Sequence, residues 1–358
     1  MTKLNEKEWK KFPAFGENGF LHIQTTNSSI DAINLINGKD KNIPYITRSD
    51  SNNGLSRFVS DENYVFGSDE SGCITVGLDT QTAFYQPHKF VTGQNVQIIT
   101  GNVIDDDTAH FLVSVLREQM EAKFNWGGNG ATLTRMKRLD VLLPVNELGL
   151  PDFNYMGDYV RNHRNIMLDK YRNYAKIQIK DLKHIDILSL SEKVWKEFVL
   201  EEIFTINSGK RLENRNKIPG NRPFIGATDN GNGITGFVGN DNASKDSNTL
   251  GVNYNGAPCI AFYHPYECIF TDDVKHLHMK NYNDNKYVLL FLSAIIKKQK
   301  IKYSYGYKFN EQRMKRQKIM LPTNEEGYPD YEYMEQYSKN LMHVKYKQYL
   351  DYLDKKSV

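Results

Sequence analysis

The chain has 358 residues, 39% hydrophobic and 25% charged, which excludes a disordered or collagen-like polymer and leaves room for two cores. It holds no run of about 18 apolar residues, its start Met1–Glu6 lacks a leader's apolar stretch, and three cysteines (Cys73, Cys259, Cys268) make no disulfide framework. The expectation is a cytoplasmic protein with no membrane partner. The net charge of +3 is a weak hint of a polyanion partner; residues 1–179 carry 19 basic and 21 acidic groups, the remainder 27 and 22.

In chain order, the first patterned segment is Ile43-Pro44-Tyr45-Ile46, followed by Asp50, Asn53-Gly54 and Phe58-Val59, which reads as strand, turn and strand. It returns as Arg222-Pro223-Phe224-Ile225 with Asp229, Asn232-Gly233 and Phe237-Val238. The runs Cys73–Val76, Val96–Ile99 and Cys259–Phe262 read as further strands, and His110–Phe124 and Tyr287–Ile301 as short amphipathic helices. Ala83-Phe84-Tyr85-Gln86-Pro87 returns as Ala261-Phe262-Tyr263-His264-Pro265, and Arg135-Met136-Lys137-Arg138 returns unchanged at Arg313–Arg316. At strand spacing that basic run would alternate its side chains between two faces.

A strand-like Asp140–Leu143 or Lys318–Leu321 and a turn then lead to a helix pattern. Met156, Tyr159, His163, Met167, Tyr171 and Tyr174, like Met334, Tyr337, Leu341 and Val344, recur every three or four residues. Pro151-Asp152 and Pro329-Asp330 mark the helix starts. From Ala83 to Met156 the repeat keeps one offset of 178 residues, so the chain is two copies, roughly 1–180 and 181–358. The fold class is α+β: two tandem mostly-β domains, at 1–153 and 191–331, each followed by a long helix segment, at 154–190 and 332–358.

The ordered set Ser208-Gly209-Lys210-Arg211, Arg222–Ile225, Asn232-Gly233, Ala261-Phe262-Tyr263, Tyr305-Gly306-Tyr307-Lys308 and Leu321-Pro322 resembles a target-recognition domain of restriction-modification specificity subunits. The likeness extends to type I and type IIB subunits, and the closing Pro-Asp-aromatic-x-Tyr-Met pattern leans toward type IIB. The first copy departs from it, with Gln24–Ser29 and no basic residue where the second has Ser-Gly-Lys-Arg. The resemblance implies a non-catalytic chain that reads a bipartite, asymmetric site in double-stranded DNA. Its helices, about 154–180 and 332–356, would pack as an antiparallel pair and hold methyltransferase or fused nuclease-methyltransferase subunits. S-adenosylmethionine and Mg²⁺ would belong to those partners, and no cofactor to this chain.

DNA affinity needs cations at phosphates, and base reading needs Arg, Lys, Asn or Gln on loops. The second copy offers Lys210, Arg211, Asn214 and Arg215 on one loop, then Asn232, Tyr305, Lys308, Arg313 and Lys315. The first offers Arg48, Asn53, Arg57, Asn129, Thr132, Arg135 and Lys137. Each has a plainer reading: a solvated loop, a charged outer face or, for Asn53 and Asn232, an Asx turn that outweighs base contact.

Rival readings lack their residues. A methyltransferase loop needs a Pro-Pro pair, and none occurs. A metal nuclease would have to use Asp152 and Asp330 with the Asp-x-Lys stretches at Asp181 and Asp354, which a helix holds about 35 Å apart. Zinc at Cys259, His264, Cys268, His276 and His278 has no counterpart in the first copy, and the cysteines read as strand core. A repeat-built protein-interaction module remains the alternative of a different class.

Overall fold

The computed structural model describes residues 3–124, 132–303 and 306–356. The chain divides into two compact units, Met1–Lys170 and Tyr171–Val358. The first holds β1 (Trp9–Pro13), β2 (His22–Thr25), β3 (Lys41–Ile46), β4 (Leu55–Ser60), β5 (Cys73–Gly77), β6 (Thr82–Gln86), β7 (Val91–Thr92), β8 (Val96–Thr100) and β9 (Asp140–Pro144). Its helices are α1 (Thr108–Lys123), α2 (Leu133–Met136) and α3 (Phe153–Asp181), and the division between the units falls inside α3.

The strands form an antiparallel sheet β2-β8-β5-β6, a sheet β4-β3-β7 in which β3 and β7 run parallel, and the pair β1-β9. The apolar stripe of α1, Phe111, Leu112, Leu116 and Met120, recurs at helical spacing and packs with Ile74, Val76 and Ile99. Cys73, from the same strand as Ile74, joins Ile46, Phe90, Val96 and Ile98 in a second cluster. All of β5 is therefore buried; a strand between two apolar layers has no polar face to alternate with. Leu112→Ala would cost about 2–5 kcal/mol here, since its side chain is fully buried.

The second unit holds β10 (Trp195–Val199), β11 (Phe204–Ser208), β12 (Arg222–Ile225), β13 (Ile234–Val238), β14 (Thr249–Asn253), β15 (Ala261–His264), β16 (Ile269–Phe270), β17 (Val274–Met279) and β18 (Lys318–Pro322). Helices α4 (Leu200–Ile203), α5 (Lys286–Lys297), α6 (Glu311–Arg316) and α7 (Tyr331–Lys356) complete it. Sheets β11-β17-β14-β15, β13-β12-β16 and β10-β18 repeat the first unit's order strand for strand.

The duplication extends to single bonds. The Trp9 indole donates to the Leu4 carbonyl and that of Trp195 to Leu190. Lys7 pairs with Asp152 at 2.7 Å and Lys193 with Asp330 at 2.6 Å. Each aspartate also accepts the backbone N–H three residues on, from Tyr155 and Tyr333 at 3.0 Å, and so caps α3 or α7.

Two sequence expectations change. The basic runs are not strands: Arg135 and Met136 lie in α2 and Arg313–Arg316 in α6, because Thr132 and Asn310 each accept the N–H of the residue three on and start a helical turn. Cys259 is not a strand residue but a left-handed turn position, φ 64°, just before β15.

The long helices run to 29 and 26 residues. Within the second unit, residues from Tyr171 onward lie antiparallel to α7. Tyr171 meets Tyr349 edge-on at 4.9 Å, Tyr174 meets Tyr346, His184 meets His343, and the Tyr333 hydroxyl donates to the Leu188 carbonyl at 2.8 Å. The Asn340 amide closes the strap by bonding both the N–H and the carbonyl of Ile185. Among the described residues no helix is long and apolar enough to cross a membrane.

Candidate nucleic-acid interface

The loop after β11 carries Lys210, Arg211, Arg215 and Lys217 within eight residues. The backbone of Gly209 and Lys210 is tied to Val274 and Phe270; a Cβ at position 209 would sit 1.9 Å from the Thr271 carbonyl, so only glycine lets the loop leave here. Lys210 and Arg211 are exposed and form no ion pair among the described residues. Asn214 is exposed, and Arg215 pairs with Glu213 at 2.7 Å while staying 79% exposed. An open groove of about 700 Å³ follows, lined by Arg211, Asn214, Lys217, Asn255 and Thr271, with Asp272 and Asp273 at one side. Lys217, the last cation of that loop, rests its ammonium 4.7 Å above the Phe224 ring.

A second groove of about 570 Å³ opens beside α6, where Lys302, Tyr303, Tyr307, Arg313, Arg316 and Lys318 line it. Arg313 stacks 3.8 Å over Tyr307 and donates to the Lys308 carbonyl, so the arginine is pre-positioned rather than free to swing. Lys308 itself is exposed. Lys315 is held at 3.0 Å by Glu311, which also receives Lys275 at 2.8 Å. These two lysines hold the Glu311 carboxyl down at about 2. Lys275 also donates to Ser208, joining the base of the Ser-Gly-Lys-Arg loop to α6.

The first unit's candidates are spread differently. Arg48 is paired with Asp79, and Arg57 and Lys137 are exposed. Thr132 spends its hydroxyl on the cap of α2, and Arg135 is half-buried. Asn53 and Asn232 occupy left-handed turns at φ 58° and 55°; their amides donate to the carbonyls of Tyr85 and Tyr263 at 2.9 and 3.3 Å. Their side chains thus tie each turn to the neighbouring strand, β6 or β15, rather than closing it as an Asx turn. Asn129 and Tyr305 lie outside the described residues.

The rival chemistries fare poorly in this geometry. Asp152 is pushed up by burial, but Lys7 and the Tyr155 N–H outweigh that and leave its carboxyl below the usual range. The Asp152 carboxylate is thus paired with Lys7 and engaged in the cap of α3, a structural role repeated by Asp330. Burial drives the thiols of Cys259 and Cys268 up to about 12, so neither is a ready thiolate.

The fold is one frame used twice, each copy with its own set of polar and cationic loops. The pattern of the type I restriction modification DNA specificity domain matches residues 18–162 and again 192–350. The chain is 44% identical over 295 residues to the specificity subunit S.BcgI of a type II restriction enzyme from Heyndrickxia coagulans, covering 82% of this chain and 84% of that one. It belongs to the restriction-modification specificity subunit family, and its function is DNA sequence recognition. Among solved structures, a type I S subunit from M. genitalium superposes with a TM-score of 0.49 at 16% identity, over 99% of this chain and 94% of that one. An HsdS subunit from Thermoanaerobacter tengcongensis gives 0.31 at 13% identity, over 88% and 85%.

Proposed function

We propose that each unit reads one half of a bipartite, asymmetric DNA site, and that the long helices seat the methyltransferase or fused nuclease-methyltransferase subunits that act there. The observation that carries this reading is one frame bearing two different loop sets: Ser208–Lys217 is cationic, whereas Gln24–Ser29 has no cation. Two identical readers would have no reason to differ in charge at that loop. The chain itself supplies recognition and no catalytic group, and S-adenosylmethionine and Mg²⁺ belong to the partner. The 44% likeness to a type II specificity subunit favours a fused partner over separate methyltransferase and motor chains.

The test is to map methylation in cells that carry the whole system with Lys210, Arg211 and Arg215 replaced by Ala. One half of the motif should relax, each lost specific contact costing about 1–3 kcal/mol, while the other half stays unchanged. An unchanged motif would overturn the assignment of that loop. The purified chain given S-adenosylmethionine and Mg²⁺ should neither methylate nor cut DNA; nicking abolished by Asp152→Ala would overturn the non-catalytic reading.

A further inference from the structure

We infer that the second unit carries a Zn²⁺ site built from Asp246, His276 and His278. One donor atom from each lies within 4.8 Å of the others. Asp246 Oδ2 is hydrogen-bonded to His276 Nδ1 at 2.5 Å and to His278 Nε2 at 2.7 Å, so an ion would replace the ring protons and spread the three donors apart. His276 and His278 are alternate residues of β17 and so leave the strand on one face. The aspartate comes from the segment before β14, where its backbone N–H and carbonyl bridge Cys268.

The surroundings hold both rings in ligating posture. The second nitrogen of His278, Nδ1, meets Asp284 Oδ2 at 2.7 Å, and the other oxygen of Asp284 takes the Met279 N–H. An outer carboxylate on the far ring nitrogen fixes the tautomer and turns Nε2 toward an ion. His276 is 5% exposed and lies flat on the Phe270 ring, 4.9 Å between centroids and 4° between planes. Two imidazoles and one carboxylate suit Zn²⁺ and not Mg²⁺ or Ca²⁺, which want oxygen, and three protein ligands leave a fourth position for water.

The first unit is the internal control. It keeps the aspartate, since Asp69 bridges Phe90 as Asp246 bridges Cys268. By the repeat offset it places Ile98 and Thr100 where the histidines stand, and Asp69 instead accepts from Thr26 and the Asn27 N–H. The frame therefore folds without the histidines, which belong to the second copy alone. The ion would pin the segment before β14 and the turn at Asp284 to β17, whose Lys275 supports the Ser208 loop.

The test uses the full-length chain, free of any affinity tag and stripped with EDTA, titrated with Zn²⁺ against a chromophoric chelator. One Zn²⁺ per chain should bind at micromolar or lower dissociation constant, the melting temperature should rise by several degrees, and Mg²⁺ should do neither. Co²⁺ in its place should give a visible band for a low-coordinate nitrogen and oxygen site. His278→Gln and Asp246→Asn should weaken Zn²⁺ binding by about 100-fold or more, and Asp284→Asn by about 10-fold. Absence of stoichiometric Zn²⁺ binding by the wild-type chain, which needs no variant to fold, overturns the site. So does wild-type affinity in His278→Gln.

Discussion

The two units place the same strands in the same order but fill one buried corner in opposite ways. In the first, Thr75 of β5 faces Ile98 of β8, and Gln86 of β6 donates to the Thr75 hydroxyl at 3.0 Å and to the Asn53 carbonyl. In the second, Gly251 faces His276, and His264 takes the place of Gln86. A Cβ on Gly251 would lie 2.7 Å from His264 Nε2, so the glycine makes room for the imidazole. The difference teaches that the frame fixes strand order and register while the corner residues vary as a set. A hydroxyl–amide network and a glycine–histidine pair are alternative ways to fill the same corner.

The sharpest way to break the comparison is to alter what joins the copies. Inserting four residues after Asn173 adds about one turn to α3. It should lengthen the unread spacer of the methylated motif or abolish methylation, with the bases read in either half unchanged. The uninterrupted parent motif should be two short parts whose centres lie about 10 base pairs apart. Sequencing the methylome of the variant decides it, and an altered half-site would refute the helices as spacer.

The next effect is confined to the second unit. Burial lowers the His264 pKa to about 4 from 6.5. The unfolded chain binds a proton below pH 6.5 that the folded chain refuses until about pH 4. Stability is thus complete above that window and falls through it by roughly 3 kcal/mol. His264→Gln, combined with Gly251→Thr to rebuild the first unit's network, should remove this acid loss. Gly251→Thr alone should destabilise by about 1–3 kcal/mol through overpacking. Denaturant melts at pH 7.5 and 4.5 distinguish the two variants, and an unchanged acid loss in the double variant would count against burial of His264 as its cause.

A smaller effect should be shared by the two halves. Lys7→Met and Lys193→Met each leave a part-buried aspartate with its cap bond but without its cation, at about 2 kcal/mol. Equal losses in thermal melts would show that the duplicated ion pair does the same job twice; a loss in one unit alone would show that the copies have drifted apart.

Much of this architecture was legible in the sequence, because the repeat supplied two readings of each element and the Pro-Asp pairs marked both helix starts. Arg135–Arg138 misled because its four residues carry no period long enough to separate helix from strand; the caps Thr132 and Asn310 were the available signal. The ligand cluster was half visible. His276 and His278 alternate openly, but Asp246 arrives through strand pairing thirty residues away in sequence, while Cys259 and Cys268, nearer in sequence, point into apolar clusters. Lys275 had no sequence signal beyond being a cation in a strand, at the position where the first copy has Gln97.

The strap formed by residues 171–188 along α7 also sets an order of events during synthesis. Tyr174 leaves the ribosome 172 residues before Tyr346, the side chain it packs against. At 5–20 residues per second that is roughly 10–35 s with the tyrosine face of α3 uncovered, while every sheet of the second unit is made in the interval. The second unit can therefore close only when the chain is nearly finished, and a nascent chain stalled before Tyr331 should expose Tyr171 and Tyr174 to any chaperone that binds aromatic surface.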